Sequence, residues 1–482
     1  PEGDEALSLA RRRLAFEELF LFALGLAGLR SQRSAVTVPP MGAVDMAPFY
    51  AALPFSLTVA QRRSIDEALA DMRSGLPMNR LCQGDVGSGK TMVAAACVYF
   101  AARNGRQAAL MAPTEILARQ HYETLSPLLE PLGLRCALLT GSTGVKARRE
   151  TNAALAAGDI DLAIGTHALL TGTVTFRDLG LVVTDEQHRF GVAQRAALAE
   201  KGLHPHTLVM SATPIPRTLA LILYGDLDVS LIDELPPGRQ PIETFAVPGS
   251  YRPRIYAFLR KHIAQGRQAY IVCPMVESGE EGGEDAKAVK DYASQLQKEV
   301  FPDLRVAFVH GKMKPKEKEA VMAAFAAGET DLLVSTTVIE VGVDVPNAAV
   351  MVVENAERFG LSQLHQLRGR VGRGKHQSYC ILISDNQNEE TRQRLKILTK
   401  TNDGFRLAEE DLRLRGPGDF FGVRQHGLPG LRVADLGCDA QLLQSAQKSA
   451  EALLAGDPEL AHSPALRDRV AELFARNAET MN

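Results

Sequence analysis

Residues 84–91 restrict the fold of this chain more than any other segment, because they match the pattern G-x-x-x-x-G-K-[ST]. An apolar segment of helical length, 92–102, follows directly. Glycines at these positions let backbone N–H groups turn toward phosphate oxygens, and the N-terminus of the next helix adds partial positive charge. The pattern predicts a nucleotide-phosphate site; the plainer interpretation is a glycine-rich turn. The residues of the predicted site are Gly84, Asp85, Gly87, Ser88, Gly89, Lys90 and Thr91.

Chemistry can be assigned to four side chains in and beyond this motif. Lys90 is expected to neutralise the β- and γ-phosphates, and the Thr91 hydroxyl to bind Mg²⁺. Asp185 and Glu186 follow the apolar run 181–184, at the end of a strand where open α/β sheets bind ligands. We predict that Asp185 holds Mg²⁺ through its water shell and that Glu186 orients and deprotonates the attacking water. An acidic pair after a strand can also be a solvated loop.

Short apolar runs alternate with helix-length segments, which is typical of α/β proteins with buried parallel strands. The Pro- and Gly-rich segment 236–241 interrupts this alternation once, so we predict two α/β lobes joined by a hinge. No repeat of fixed period is evident. The predicted strands are 108–112, 162–165, 181–184 and 208–211 in the first lobe, and 269–273, 306–309, 332–335, 350–353 and 380–384 in the second. The predicted domains are an N-terminal helix and linker (1–50), the two lobes (51–236 and 237–390) and a helical element (391–482).

Length and composition narrow the class of protein. A chain of 482 residues suggests two or three domains at about 100–200 residues each. Its net charge of −3 means that binding to nucleic acid has to come from local clusters of Arg and Lys.

The apolar stretch 19–29 is too short for a bilayer span of about 20 residues, and the pattern over 5–30 predicts a long docked helix. Six scattered cysteines favour reduced thiols in a cytoplasmic protein over a zinc site, and the missing initiator Met suggests a fragment.

Further motifs give nearly the whole chain a resemblance to superfamily 2 helicase motors of the DExH type. These motifs are the segments 55–61, 185–188, 211–213, 341–346 and 366–373. The resemblance implies two RecA-like P-loop NTPase lobes and the cofactors ATP and Mg²⁺. It implies that Phe55 and Gln61 read adenine, although a Thr cap opening the helix at residue 60 explains 55–61 equally well.

The resemblance also assigns residues to catalysis and coupling. Arg370 and Arg373 are implied as arginine fingers, which stabilise the charge that spreads over the γ-phosphate when the lobes close. Gln366 belongs to the same motif, and Asp344 is implied near the ribose and γ-phosphate. The residues implied to link hydrolysis to lobe closure are His188, Ser211 and Thr213.

Loops that follow predicted strands hold a nucleic-acid backbone in such motors, without reading sequence. Each of these segments alone is more often an ordinary turn. The residues that the resemblance assigns to DNA contact are Pro113, Thr114, Arg119, Thr166, His167, His310, Gly311, Thr336 and Thr337.

Three segments, 185–191, 211–218 and 402–427, resemble in particular the RecG family of branch-migrating DNA helicases. The transcription-repair coupling translocases share part of this pattern, but typically have Glu at position 187 and lack the Gly-Pro-Gly of 416–418. In both families a helical hairpin after the lobes couples ATP use to movement on double-stranded DNA. The resemblance implies that Arg394, Arg415 and Gln425 transmit this movement, whereas without it a helical cap over a sheet edge would be preferred.

The resemblance implies a monomeric enzyme of the bacterial cytoplasm and nucleoid, which hydrolyses ATP and acts on forks and Holliday junctions in recombination and repair. RecG proteins carry an oligonucleotide-binding wedge domain before the motor, and residues 5–35 resemble the helix that follows it. We therefore expect the chain to lack the wedge and to be impaired in unwinding forks and junctions. The alternatives are a transcription-repair coupling translocase and a nucleotide-gated DNA-binding module with little turnover.

Overall fold

The computed structural model describes residues 3–33, 36–185, 197–198, 200–213, 227–236, 240–274, 283–336, 345–374, 376–415, 432–434 and 439–478. Within this part of the chain lie two parallel sheets, which confirms the predicted α/β class. The first sheet has the strand order β3-β4-β2-β5-β6-β1-β7. Its strands are β1 (Asn79–Gly84), β2 (Gln107–Met111), β3 (Cys136–Leu139), β4 (Leu162–Gly165), β5 (Leu179–Asp185), β6 (His206–Ser211) and β7 (Asp228–Ile232).

The second sheet has the order β10-β11-β9-β12-β13-β8, and all its pairs are parallel. Its strands are β8 (Glu243–Val247), β9 (Gln268–Val272), β10 (Val306–Val309), β11 (Leu332–Ser335), β12 (Ala348–Val353) and β13 (Tyr379–Ile383). Four of the strands, β1, β3, β7 and β8, are not predicted from the sequence. The last three are edge strands with partly exposed residues, and the Arg and Gln side chains of β1 interrupt its apolar pattern.

Helices cover both sheets and form an appended element. The helices of the first lobe are α1 (Asp4–Arg33), α2 (Ala47–Ala52), α3 (Val59–Arg73), α4 (Lys90–Arg103), α5 (Glu115–Leu129) and α6 (Val145–Ala157). Those of the second lobe are α7 (Arg252–Ala264), α8 (Gly283–Gln295), α9 (Pro315–Ala326) and α10 (Leu361–Arg368). The last four are α11 (Glu389–Lys400), α12 (Gly404–Arg415), α13 (Ala440–Gly456) and α14 (Pro464–Ala478).

Apolar packing joins the two ends of the chain. Leu19 and Phe22 of α1 are buried in one cluster with Leu81 of β1 and Leu443 of α13, and α1 also packs against α14. The long docked helix predicted from 5–30 is therefore present. In the described part of the chain, no helix is long and apolar enough to span a membrane.

The unit of a strand, a helix and a parallel strand that ends at β4 recurs in the second lobe, 170 positions later, as β10, α9 and β11. The backbone N–H of Arg135 donates to Asp161, and that of Arg305 donates to Asp331 in the same way. The guanidinium groups of the same two arginines donate to the carbonyl oxygens of residues 158 and 328. The lobes thus share a repeated unit, which corrects the expectation that no repeat of fixed period is present. Its residues 134–166 and 304–336 are identical at 13 of 33 positions, but the repeat covers only this part of each lobe.

The order β5-β6-β1 places the carboxyl ends of three strands side by side. Asp185 pairs with Met210, and Ser211 pairs with Gln83, in register. Ligands of open α/β sheets bind outside this edge. The fold therefore brings the ends of β5 and β6 next to the predicted phosphate-binding loop at residues 84–91.

Candidate nucleotide site between the two lobes

The predicted phosphate-binding loop connects the end of β1 to the start of α4. Gly87 and Gly89 have φ angles of 75° and 87°, a left-handed conformation that glycine adopts without strain. A Cβ atom at Gly89 would also collide with the side-chain amide of Gln61. Glycine is therefore the residue type that fits positions 87 and 89, as the motif predicts.

Lys90 and Ser88 place polar groups inside this loop. Lys90 is 8% exposed, and its Nζ donates to the carbonyl oxygens of Gly84 and Asp85 at 2.8 and 2.9 Å. The Ser88 hydroxyl is buried and has no hydrogen-bond partner among the residues that the structure describes. At the start of α4 the Met92 N–H donates to the Gly89 carbonyl at 2.9 Å, and the first N–H groups of any helix lack carbonyl acceptors four residues earlier in that helix. This set of donors fits the phosphate oxygens of a nucleotide.

Gln61 joins α3 to the same loop. Its side chain and that of Thr58 form a capping box, which is the Thr cap that the sequence analysis left open. Its Nε2 donates to the Ser88 carbonyl oxygen at 2.7 Å, so the amide also fixes the loop. Phe55, the other predicted adenine contact, is 46% exposed just before this helix. The role of both residues toward adenine stays a prediction.

Asp185 lies at the end of β5, where the metal ligand is predicted. It is 8% exposed, and its Oδ2 lies 2.7 Å from the Nε2 of His121 on α5. The neighbouring Thr184 hydroxyl is buried, and no described residue forms a hydrogen bond with it. A carboxylate here and the Thr91 hydroxyl at the start of α4 suit Mg²⁺, which prefers oxygen ligands and keeps several waters.

One hydrogen bond links the end of β6 to the second lobe. The Nε2 of Gln366 on α10 donates to the Thr213 hydroxyl at 2.9 Å. The Thr213 carbonyl accepts from Gln83 at 3.3 Å, and its backbone N–H donates to the Ser211 hydroxyl at 3.3 Å. Thr213, predicted to couple hydrolysis to lobe closure, is thus in direct contact with Gln366, which is assigned to the arginine-finger motif of the second lobe.

A second contact between the lobes is formed by Asp85. Its Oδ1 lies 2.5 Å from the Nε2 of His365 on α10, and its Oδ2 accepts from the Gly404 N–H at 3.3 Å. Burial alone would raise the pKa of Asp85. The hydrogen bonds from His365 and the Val86 N–H, with the nearby charge of Lys90, outweigh burial and hold this pKa below its usual value.

Arg368 extends this contact to the appended helices. Its Nη2 lies 2.8 Å from the Nδ1 of His365, and its Nη1 donates to the carbonyl oxygens of Leu398 and Thr401 at the end of α11. Arg368 is only 2% exposed, and burial lowers its pKa. The phosphate-binding loop, α10 and α11 are therefore connected through side chains.

The two predicted arginine fingers follow α10 on the side of the cleft. Gly369 approaches Val86 of the phosphate-binding loop so closely that an added Cβ would lie 2.8 Å from the valine Cβ. Arg370 is 9% exposed, and the Nε of Arg373 donates to the Gly369 carbonyl at 3.3 Å. The loop that carries both arginines thus begins against the phosphate-binding loop.

Residues assigned to DNA contact follow the carboxyl ends of β2, β4, β10 and β11. Thr114 caps α5 by accepting from the Leu117 N–H at 3.3 Å, and Arg119 on that helix is exposed. Thr166 and Thr336 occupy equivalent positions in the two lobes, and their hydroxyls are buried with no hydrogen-bond partner in the described part of the chain. The other assigned residues also follow strand ends, with Pro113 after β2, His167 after β4, and His310 and Gly311 after β10.

Of the predicted coupling residues, Arg394 on α11 donates to the Glu357 carbonyl of the second lobe at 2.5 Å. Arg415 is the last residue of α12, and its side chain is outside the described part. Five further predicted residues lie outside the described residues altogether, namely Glu186, His188, Thr337, Asp344 and Gln425.

Sequence reasoning missed four residues of this site. His121 lies two positions after Arg119, which is assigned to DNA contact, but it contacts Asp185, and Gln83 precedes the phosphate-binding motif. His365 and Arg368 flank Gln366 on one helix. Their spacing of three positions, which puts both on one helical face, is the signal that could have found them.

Three family models match successive parts of the chain. The model of the DEAD/DEAH box helicase family matches residues 58–222, and that of the helicase conserved C-terminal domain matches 254–375. The model of ATP-dependent DNA helicase RecG, domain 3, C-terminal, matches 401–473. The appended helices are thus similar to an element described for RecG.

Individual relatives agree with these models. The ATP-dependent DNA helicase RecG of Synechocystis is 52% identical over 99% of this chain and 57% of its own length. That of Bacillus subtilis is 49% identical over 100% of this chain and 71% of its own length. The chain therefore spans between 57% and 71% of these curated relatives.

Solved structures give the same result. A structure of RecG bound to a three-way DNA junction has a TM-score of 0.76 and 46% identity, covering 92% of this chain and 58% of its own. Mss116p bound to ssRNA and AMP-PNP, at 18% identity and a TM-score of 0.56, shares the fold alone. On its sequence identity to relatives over nearly its whole length, this chain belongs to the RecG family of ATP-dependent DNA helicases.

Proposed function

We propose that this chain is an ATP-driven motor that moves along double-stranded DNA and acts on branched DNA, as in recombination and repair. The observation that carries the proposal is the pair of hydrogen-bonded contacts between the lobes, Asp85 with His365 and Thr213 with Gln366. Both contacts adjoin the phosphate-binding loop, so a nucleotide bound there acts on both lobes at once. The RecG structure on a three-way DNA junction supports branched DNA as the substrate.

Nucleotide binding would draw on groups that the loop holds ready. Lys90 is held by two backbone carbonyl oxygens and can exchange them for phosphate oxygens, which are stronger acceptors for an ammonium group. The buried Ser88 hydroxyl gains a partner in the same step. Thr91 and Asp185 would hold Mg²⁺, which when bound neutralises charge on the phosphates.

Hydrolysis needs groups from both lobes. Glu186 follows Asp185 directly and would orient and deprotonate the attacking water. Arg370 and Arg373 would stabilise the negative charge that develops on the transferred phosphoryl group, with Gln366 beside them. Because these three residues belong to the second lobe, the rate of hydrolysis depends on how closely the lobes approach.

Lobe movement would reach the DNA through the strand ends and the appended helices. The residues after β4 and β11 stand at equivalent positions of the two lobes, so closure changes the distance between two backbone-binding loops. Arg394 links α11 to the second lobe through its hydrogen bond to the Glu357 carbonyl. Arg368 links the end of α11 to α10 through its hydrogen bond to the Leu398 carbonyl. Repeated closure and opening would advance the duplex.

The second candidate function is a nucleotide-gated DNA-binding module with little turnover. Phosphate release by the purified chain, measured with no DNA, single strands, duplex and a model fork, separates the two. The motor predicts release that duplex and fork stimulate. Glu186→Gln should lower this rate by about 100-fold or more and preserve nucleotide binding. Wild-type turnover that no DNA stimulates would favour the binding module, and an unchanged rate in the variant would refute the role of Glu186.

A further inference from the structure

A groove of about 400 Å³ lies where β8 and β13 end and α11 begins. Arg392 and Lys396, one turn apart on α11, line one side of it, and Ser384 and Gln387 line the other. Both basic side chains belong to exposed residues. In the described part of the chain, neither makes an ion pair or a side-chain hydrogen bond. Two basic side chains thus line the groove, and neither is paired with a carboxylate of the described residues.

The carboxylate that lines the groove, Asp385, has partners other than the two basic side chains. Asp385, which lies in the groove, accepts from the Gly249 N–H at 2.6 Å and is 4.0 Å from Nη1 of Arg252. Glu389, in the first turn of α11, accepts from Nε2 of Gln393 at 3.4 Å and is not among the residues that line the groove. Because two basic side chains and one carboxylate line it, the groove presents a local excess of positive charge on a chain whose net charge is −3. A polyanion is the ligand that such a site attracts.

The position of the groove narrows the choice of polyanion. All strands of the second sheet are parallel, so β8 and β13 end at the same edge as β10 and β11, which carry His310 and Thr336. At about 4.8 Å between neighbouring strands, the six strands span about 24 Å. One turn of duplex DNA is about 34 Å long. A single duplex that lies along this edge of the sheet would therefore reach both the end of β10 and the groove at the end of β8.

The far end of α11 lies at the cleft between the lobes. The helix has 12 residues, which at 1.5 Å per residue makes it about 18 Å long. Its last turn is held by Arg368, which binds His365, which binds Asp85. A ligand bound near Arg392 therefore contacts the helix whose other end is linked to the phosphate-binding loop.

We propose that this groove is a further DNA-binding site, in which Arg392 and Lys396 each pair with a phosphate of the duplex backbone. The site takes any sequence, because phosphate contacts carry no sequence information. The proposal rests on the proposed function, since a chain that binds no duplex has no use for it. It adds to the strand-end loops a contact that belongs to the appended helices.

The test is the salt dependence of duplex binding by the full chain, comparing wild type with the double variant Arg392→Gln and Lys396→Gln. Each lost phosphate contact lowers the slope of log K against log[salt] by about 0.9, so the double variant should lose about 1.8. Its affinity for duplex at 0.1 M salt should fall at least about tenfold. ATP hydrolysis without DNA and the melting temperature should stay unchanged.

Two matched variants sharpen the result. Lys448→Gln with Arg469→Gln removes the same charge from exposed positions of α13 and α14 and should keep the wild-type slope. Arg392→Lys with Lys396→Arg keeps the charge of the groove and should also keep the slope. A double glutamine variant with the wild-type slope would refute the DNA-binding site in the groove and would leave the proposed function standing. Wild-type protein that binds no duplex even at low salt would overturn the proposed function along with it.

Discussion

His365 and Asp85 are 280 positions apart in the chain, yet the Nε2 of the histidine lies 2.5 Å from the carboxylate. A guanidinium group can only donate, so the Nδ1 of His365 accepts from Arg368 and its Nε2 donates to Asp85. Arg368 in turn holds two carbonyl oxygens at the end of α11. One imidazole ring therefore links the phosphate-binding loop to the appended helices.

Replacing His365 should break this link. We expect His365→Ala to lower DNA-stimulated ATP hydrolysis roughly tenfold, because the coupling energies of such networks are about 0.5–2 kcal/mol. Nucleotide affinity, measured by fluorescence titration, should change less than about twofold, since the ring does not belong to the phosphate-binding loop itself. His462→Ala, at an exposed position, is the control. Equal loss of affinity and hydrolysis would show that His365 only stabilises the loop.

The hydrogen bond between Thr213 and Gln366 can be measured as a coupling energy. Thr213→Val removes the hydroxyl at nearly constant shape, and Gln366→Leu removes the amide. A double-mutant cycle on the activation free energy of DNA-stimulated hydrolysis should give an interaction of about 0.5–1.5 kcal/mol. Additive effects of the two substitutions would mean that the contact contributes nothing to the working enzyme.

Gly89 offers a test of the phosphate-binding loop. Gly89→Ala adds a Cβ at a φ of 87° and into the amide of Gln61, so the loop has to distort. We expect ATP affinity to fall at least about tenfold, since the strain is of order 1–3 kcal/mol. Gly105→Ala is the matched control, because its φ of 72° is equally unusual but its Cβ meets no atom within 4 Å. Loss of affinity in both variants would point to general destabilisation.

Local patterns predicted the parts of this molecule that local interactions determine. The phosphate-binding loop and most strands of the two sheets follow from short motifs and apolar runs, because backbone conformation and burial are set within a few residues. The contact between Asp85 and His365 could not be predicted, because periodicity does not tell which loops of two lobes meet. His121, similarly, carries no signal in the sequence for its contact with Asp185.

Arg415 tests whether the appended helices transmit movement. It is the last residue of α12, the helix whose first N–H, that of Gly404, donates to Asp85. Arg415→Ala should reduce DNA translocation, followed by triplex displacement, at least about tenfold more than ATP hydrolysis, because the hydrolytic groups belong to the lobes. Lys448→Ala on α13 serves as a surface control. A variant that loses both activities to the same extent would indicate that the helices are only a structural cap.

The burial of His206 predicts how the free energy of unfolding depends on pH. It is 3% exposed, and its Nδ1 accepts from the Met78 N–H at 3.0 Å. Burial, with the charge of Arg106, lowers its pKa from 6.5 to about 4. His206 therefore becomes protonated near pH 6.5 in the unfolded chain but only near pH 4 in the folded chain. Because the unfolded chain binds the proton more strongly, the free energy of unfolding falls as the pH drops from about 6.5 to about 4. The loss is at most about 3 kcal/mol.

Urea unfolding between pH 7.5 and 4.5 measures this loss. His206→Asn keeps an acceptor for the Met78 N–H but does not titrate, so its unfolding free energy should depend less steeply on pH than that of wild type. His204→Asn, two residues away at an exposed position with a φ of 53°, should keep the wild-type dependence, because asparagine tolerates that conformation. Parallel pH profiles for wild type and His206→Asn would mean that His206 becomes protonated in the folded protein as readily as in the unfolded chain.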